Sequence, residues 1–375
     1  MLTEDAVLKA LETVEDPEIH KPITELGMVK SVSIKGTEVT VAVYLTIKAC
    51  PMRESITSRV ENAVGAIDGV TKVNVELDVM SDAQREKLKL QLRGPEREIP
   101  FVRPDSKTRV FAIASGKGGV GKSSLTANLA VTFAQKGLSV GIVDADIYGH
   151  SIPRILGLTA DQTQIDPDLR IPPAAHGVKV LSVLGMKGGD TNRPVALRGP
   201  MLGKMLEQFL ADFYWGDLDV LLLDLPPGTG DIAISTAQLL PNAEIVVVTT
   251  PQIAAAEVAI RAGMMATLIS QKVAGVIENM SAVTCSKCGE EMALFGEGGG
   301  KIVADELSKA TNKEIQLLGK VPFDVQIREG GDNGVPMPIS NPDSAPSKVL
   351  AEIADQLLKN SPRSLAGKVL KLANN

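Results

Sequence analysis

Aromatic side chains are scarce. Seven Phe, three Tyr and one Trp make up 3% of the 375 residues. That shortage excludes the stacked platforms on which many proteins hold unpaired bases. Only three cysteines are present, an odd number and too few for a disulfide framework, so in a reducing compartment they point to metal or redox chemistry. The three histidines, His20, His150 and His176, show no ligand spacing. No apolar run reaches the roughly 18 residues of a membrane span, and the N-terminus has no basic-then-apolar signal pattern. A cytoplasmic location with no stable membrane association is expected. Positive charge is not in excess either: a net charge of −6 offers no general attraction to nucleic acid or acidic lipid. What remains is a hydrophobic share of 44% and a charged share of 22%, the balance of a soluble globular chain long enough for two domains.

The first 80 residues read as a small α+β unit. Leu8 and Leu11 have helical spacing within 5–13, and residues 29–34 and 39–45 alternate like strands around a Lys35-Gly36-Thr37 turn. A helix over 53–67 and a strand over 70–79 complete it. Residues 81–107 are charged, poor in large apolar side chains and carry Pro95, Pro100 and Pro104, the composition of a linker. From 108 to 360 strand and helix alternate, with strands expected at 109–114, 139–143, 179–184, 219–224, 244–249, 273–278 and 316–320. Most are continuous Val/Ile/Leu runs, as in a parallel sheet covered on both faces. The fold class is therefore α/β, a doubly wound, mostly parallel sheet preceded by the small α+β domain, with its ligand at the carboxyl ends of the strands. A tail, 361–375, follows; its stretch Ser364–Leu372 is faintly amphipathic and basic.

The residues Gly116-Lys117-Gly118-Gly119-Val120-Gly121-Lys122-Ser123 satisfy the phosphate-loop pattern G-x-x-x-x-G-K-[ST]. Glycines let backbone N–H groups curl around a phosphate. Lys122 brings positive charge to the β- and γ-phosphates, and the Ser123 hydroxyl suits a magnesium ion. The strand before the loop and the helix opening at Ser124 supply the required context. A flexible glycine turn would need neither, so the chain is expected to bind a nucleoside triphosphate. Two acidic sites follow later strands: Asp144-Ala145-Asp146, and Asp224-Leu225-Pro226-Pro227-Gly228. Asp224 fits a Walker B carboxylate that holds magnesium through water. The loop after it fits a γ-phosphate sensor. Aspartate at a strand end can also simply start a turn, but two in this order after a phosphate loop favour the nucleotide reading.

The lysine directly after the first glycine makes the loop resemble the deviant Walker A motif of the MinD, ParA and nitrogenase iron-protein class. The resemblance implies that Lys117 reaches across a dimer interface to the partner's phosphates. It also implies that Asp146 positions the attacking water and that Asp144 lies near the magnesium shell. ATP hydrolysis is then expected to need a homodimer.

Cys285-Ser286-Lys287-Cys288 is a C-x-x-C turn that supplies two ligands, whereas a closed zinc or iron–sulfur site takes four. Alone, the pair fits a redox couple, half a zinc knuckle or buried thiols equally well. Two copies facing each other across a two-fold axis would complete a four-cysteine site, which joins the thiols to the dimer expected from Lys117. Iron–sulfur and zinc both remain open on this count.

With Glu278-Asn279-Met280-Ser281 before the cysteines, Phe295-Gly296-Glu297-Gly298-Gly299-Gly300 after them, Val321-Pro322-Phe323-Asp324 and Ile327-Arg328, the chain resembles the Mrp/ApbC family of ATP-binding iron–sulfur cluster carriers over 108–345. Val325 departs from it, since proline is common there. The resemblance implies a [4Fe–4S] cluster bound by Cys285 and Cys288 at the dimer interface, adenine contacts from Asn279 and residues near Pro322, and apo iron–sulfur proteins and an assembly scaffold as partners. The first domain resembles the MIP18 family through Asp16-Pro17-Glu18-Ile19 and Thr46-Ile47-Lys48-Ala49-Cys50-Pro51. Cys50 fits an auxiliary thiol or a small core residue. The expected function is an ATP-hydrolysing cluster carrier using ATP, Mg2+ and a [4Fe–4S] cluster. The alternatives are a MinD- or ParA-like spatial switch, a zinc-bridged regulatory ATPase, and a redox protein like the nitrogenase iron protein.

Overall fold

The computed structural model describes residues 2–17, 19, 21–46, 53–93, 98–147, 149, 151–159, 170–183, 199–285 and 287–361. Two compact units emerge, one centred on residues 2–93 and one beginning at Glu98.

The first unit starts with helix α1 (Glu4–Leu11), whose Val7 and Leu11 are buried four residues apart. Strands β1 (Val29–Lys35) and β2 (Glu38–Leu45) pair antiparallel. The two-residue turn between them uses Gly36 at φ +64, a conformation that favours glycine. Helix α2 (Arg53–Gly65) buries Ile56, Val60 and Val64 at the same spacing, and β3 (Lys72–Val79) adds parallel to β2. The stretch whose composition reads as linker holds a further helix, α3 (Asp82–Arg93). Ser81 and Gln84 cap it reciprocally: the Ser81 N–H donates to Gln84 Oε1 at 2.9 Å and the Gln84 N–H to Ser81 Oγ at 3.4 Å. Leu88 anchors it in the core.

The second unit is built on β4 (Arg109–Ser115), α4 (Lys122–Gln135), β5 (Val140–Asp144), α5 (Ile152–Ile155), the short β6 (Ala174–Ala175) and β7 (Val178–Leu181). It continues with α6 (Gly199–Ala211), β8 (Val220–Asp224), α7 (Asp231–Leu239), β9 (Glu244–Thr249), α8 (Ile253–Leu268) and β10 (Lys272–Thr284). It ends with β11 (Glu291–Met292), α9 (Gly299–Thr311), β12 (Leu317–Phe323), α10 (Val325–Asn333), α11 (Met337–Ser340) and α12 (Ala345–Asn360). Strands β7, β5, β8, β4, β9, β10 and β12 lie side by side and all pair parallel. Short antiparallel β6 and β11 add to β7 and β10. Each of the seven strands expected from the sequence has its counterpart.

Alternation along the strands feeds two cores. Val110, Ala112, Leu221, Leu223, Ile245 and Val247 face one, beneath α6, α8 and α9. Phe111, Ile113, Val220, Leu222, Val246 and Val248 face the other, beneath α4 and α12. Because α4 follows β4 onto one face and α7 follows the adjacent β8 onto the other, a crevice opens at the carboxyl ends of these two strands. Among the described residues no helix is long and apolar enough to cross a membrane. The tail stretch 364–372 lies outside the described residues.

Candidate functional site

The crevice holds the phosphate loop. Gly116 through Ser123 run from the end of β4 into the first turn of α4, with Gly119 at φ +81 and Gly121 at φ +80. Gly116 is required for a second reason: a Cβ there would lie 2.3 Å from the backbone carbon of Val258 in α8. A cavity of about 260 Å³ sits over the loop. The whole run from Lys117 to Ser124, Asp146 and Pro227 line it. The N-terminus of α4, with its unpaired N–H groups, therefore opens into a space suited to phosphate.

Beneath the loop a set of polar groups converges on Asp224. The buried Lys122 Nζ lies 2.7 Å from its Oδ2. Ser123 Oγ donates to the same oxygen at 2.5 Å, and the buried Thr126 Oγ1 donates to Oδ1 at 2.7 Å. Asp144, at the end of the adjacent strand β5, is fully buried and accepts one backbone N–H, from Ile152, at 3.3 Å. Burial, then the charge of Asp224, push its carboxyl well above the usual aspartate range, while Lys122 pulls the other way. Its Oδ1 has no hydrogen-bond partner among the described residues. Two buried carboxylates, one with an orphaned oxygen, beside a serine hydroxyl form a donor set that fits a magnesium ion. Asp146 is set apart from this cluster: its carboxylate accepts the Gly149 N–H at 3.1 Å and borders the cavity.

Lys117, also on the cavity wall, donates from Nζ to Gln252 Oε1 at 3.2 Å, a partner that the sequence did not suggest. Thr126 was missed as well, although it lies one helical turn after Lys122. Asn279 is buried and donates from Nδ2 to the Val120 carbonyl at 2.8 Å. Neither Asn279 nor Pro322, which lies in β12, is among the residues lining the cavity. Glu278, also buried, accepts the Gly300 N–H at 2.6 Å. That bond explains part of the glycine run 298–300, because a Cβ at Gly300 would come within 2.7 Å of Glu278 Cβ.

The thiol pair sits where β10 turns back into β11. The Cys285 N–H donates to the Glu290 carbonyl at 2.8 Å and the Gly289 N–H to the Cys285 carbonyl at 2.9 Å, with Gly289 at φ +75. Cys285 is half-buried and Cys288 exposed. The N–H groups of Cys288 and Lys287, then the Cys288 thiol, donate to the Cys285 sulfur and hold its pKa below the usual thiol range. The turn thus brings the two sulfurs into hydrogen-bond contact. No group of three or more metal-ligating side chains occurs among the described residues. Cys50, His20 and His150 lie outside the described residues. His176 bonds the Gly334 carbonyl at 3.0 Å.

Residues 106–358 match the family model described as NUBPL iron-transfer P-loop NTPase. The chain belongs to this family. Residues 4–77 match a second model, described as iron–sulfur cluster assembly protein. Among relatives, the iron–sulfur cluster carrier protein of Mycobacterium tuberculosis is 56% identical over 370 residues, covering 98% of this chain and 96% of its own. That of Synechocystis is 41% identical over 362 residues, covering 95% and 97%. A solved nucleotide-binding protein from Archaeoglobus fulgidus, in complex with ADP, is 33% identical and covers 68% of this chain and 91% of its own, with a TM-score of 0.49. A family of P-loop NTPases accounts for the loop, the carboxylate cluster and the cavity above them.

Proposed function

We propose that this NTPase is an ATP-hydrolysing iron–sulfur cluster carrier. Two protomers hold one [4Fe–4S] cluster between their Cys285-x-x-Cys288 knuckles and release it to apoproteins, in the cytoplasm. The observation that carries the reading is the knuckle itself: one half-buried cysteine with a lowered pKa beside an exposed one, on a chain whose relatives are named cluster carriers. Thiolates are the ligands of such clusters. The exposed Cys288 also leaves the cargo within reach of an acceptor's thiols.

The hydrolytic half follows from the crevice. ATP phosphates fit the N–H groups of the loop, and Lys122 turns from Asp224 toward the β- and γ-oxygens. Magnesium, held by Ser123 Oγ and the Asp224 and Asp144 carboxylates, would offset the phosphate charge. Asp146 accepts a hydrogen bond from the attacking water. Water's oxygen bonds to the γ-phosphorus as the bond to the β-phosphate oxygen breaks, and the water's proton ends on the released phosphate. Lys117 leaves Gln252 and crosses to the partner's phosphates, which makes turnover slow and dimer-dependent.

Anaerobic transfer of reconstituted cluster to an apo-ferredoxin tests this reading. Wild type should transfer faster with Mg·ATP than without it, Lys122→Ala should ignore ATP, and Cys285→Ser should carry no iron. Zinc in place of iron and sulfide after reconstitution, or equal rates in all three proteins, would reject it.

A further inference from the structure

Strand β10 is thirteen residues long, against six for β9 and seven for β12, its parallel neighbours. Its first half is pinned at two consecutive residues. Glu278 is held by the Gly300 N–H at the start of α9, and Asn279 by the Val120 carbonyl of the phosphate loop. Gly121 makes room for that contact, since a Cβ there would lie 2.3 Å from the Asn279 Nδ2. Its second half carries the thiol hairpin, Val283 and Thr284 pairing with Met292 and Glu291 just before Cys285.

Between the halves the strand is broken in a specific way. Met280 sits at φ +57, a left-handed conformation that costs a side-chain-bearing residue energy and persists only where its surroundings enforce it. At the same point the pairing with β12 slips: Asn279 faces Val321 but the next pair is Val283 with Phe323, four steps on one strand against two on the other. Bulges of this kind bend a strand and re-aim its later residues. From Asn279 to Cys285 is at most roughly 20 Å of extended chain.

The geometry points to Asn279 and Met280 as positioning residues that couple the phosphate loop to the thiols. Asn279 senses the Val120 peptide, and the left-handed Met280 bulge converts its displacement into a change in the hairpin that carries Cys285 and Cys288. This rests on the thiol pair being the cargo site. It adds a route by which nucleotide alters that site within one protomer, before any dimer contact. A coupling of this kind requires two arrangements of one element, biased by both ends, and a strand pinned on one side of a strained bulge supplies that element.

The test is per-cysteine alkylation by iodoacetamide in the full-length, metal-free protein, resolved by peptide mass spectrometry. It is run without nucleotide and with a non-hydrolysable ATP analogue plus magnesium, at a saturation verified by titration for each variant. Saturating nucleotide should change the Cys285 rate about fivefold, the lower end of typical coupling. It should do so equally at a dilution where native mass spectrometry finds only single chains, so that no cross-dimer contact exists. Met280→Gly, which reaches the same φ without strain but cannot transmit force, should reduce the change below about twofold. Asn279→Asp, which turns an amide donor into a second acceptor opposite the Val120 carbonyl, should do the same and carries the test if the glycine variant fails to fold. A nucleotide-independent rate in wild type, an undiminished response in either folded variant, or a response lost on dilution to single chains would overturn the proposal. Failure of iron loading with the thiol response intact would instead reject the cluster reading alone.

Discussion

Asp144 is fully buried in the crevice, and its burial has a pH signature. Burial and the neighbouring Asp224 raise its pKa, Lys122 opposing them. Between the unfolded aspartate value of about 3.9 and the raised folded value, the unfolded chain releases a proton that the folded chain retains, so stability falls as pH rises through that window. Asparagine at this position cannot ionise. In magnesium-free buffer Asp144→Asn should melt a few degrees above wild type near pH 7.5, with the gap closing toward pH 4, and it should lose magnesium-dependent nucleotide affinity. Thermal melts across pH check the first part and nucleotide titration the second. Cys285 shifts the other way. Backbone N–H groups of Cys288 and Lys287 favour its thiolate, so its alkylation should reach half-maximal rate at a lower pH than in the denatured chain. Equal midpoints would contradict the knuckle geometry.

Among the secondary-structure elements, the phosphate loop is as much a packing device as a binding one. Gly116 lies against the backbone of α8, where a Cβ would come within 2.3 Å of Val258. Gly116→Ala should cost about 3 kcal/mol, the upper end of overpacking, because a helix backbone cannot rotate away as a side chain can. Gly118, with nothing within 4 Å of its would-be Cβ, is the control: Gly118→Ala should leave the urea midpoint nearly unchanged. The parallel strands and the loop were legible from sequence because continuous Val/Ile/Leu runs and a fixed glycine spacing are local signals. Helix α3 was not, although the Ser81-x-x-Gln84 cap was there to find. Its alternating Leu88, Leu90 and Leu92 obscure helical spacing, and its surroundings are charged. Within the site, Lys122, Ser123 and Asp224 could be paired from motif alone. Gln252 on Lys117 and Asn279 on Val120 could not, because the partners lie 135 and 159 residues apart, and nothing local in a sequence encodes such a meeting.

For the molecule as a whole, the proposed function makes one protomer incomplete in both of its chemistries: its knuckle would supply two of four thiols, and Lys117 would act on a partner's phosphate. The account therefore stands on the assembly. Anaerobic native mass spectrometry of the reconstituted protein measures it directly. The account predicts two chains carrying one cluster of four irons and four sulfides, and an iron-free Cys285→Ser. A cluster of that composition on a single chain, or two chains bridged by zinc alone, would contradict it.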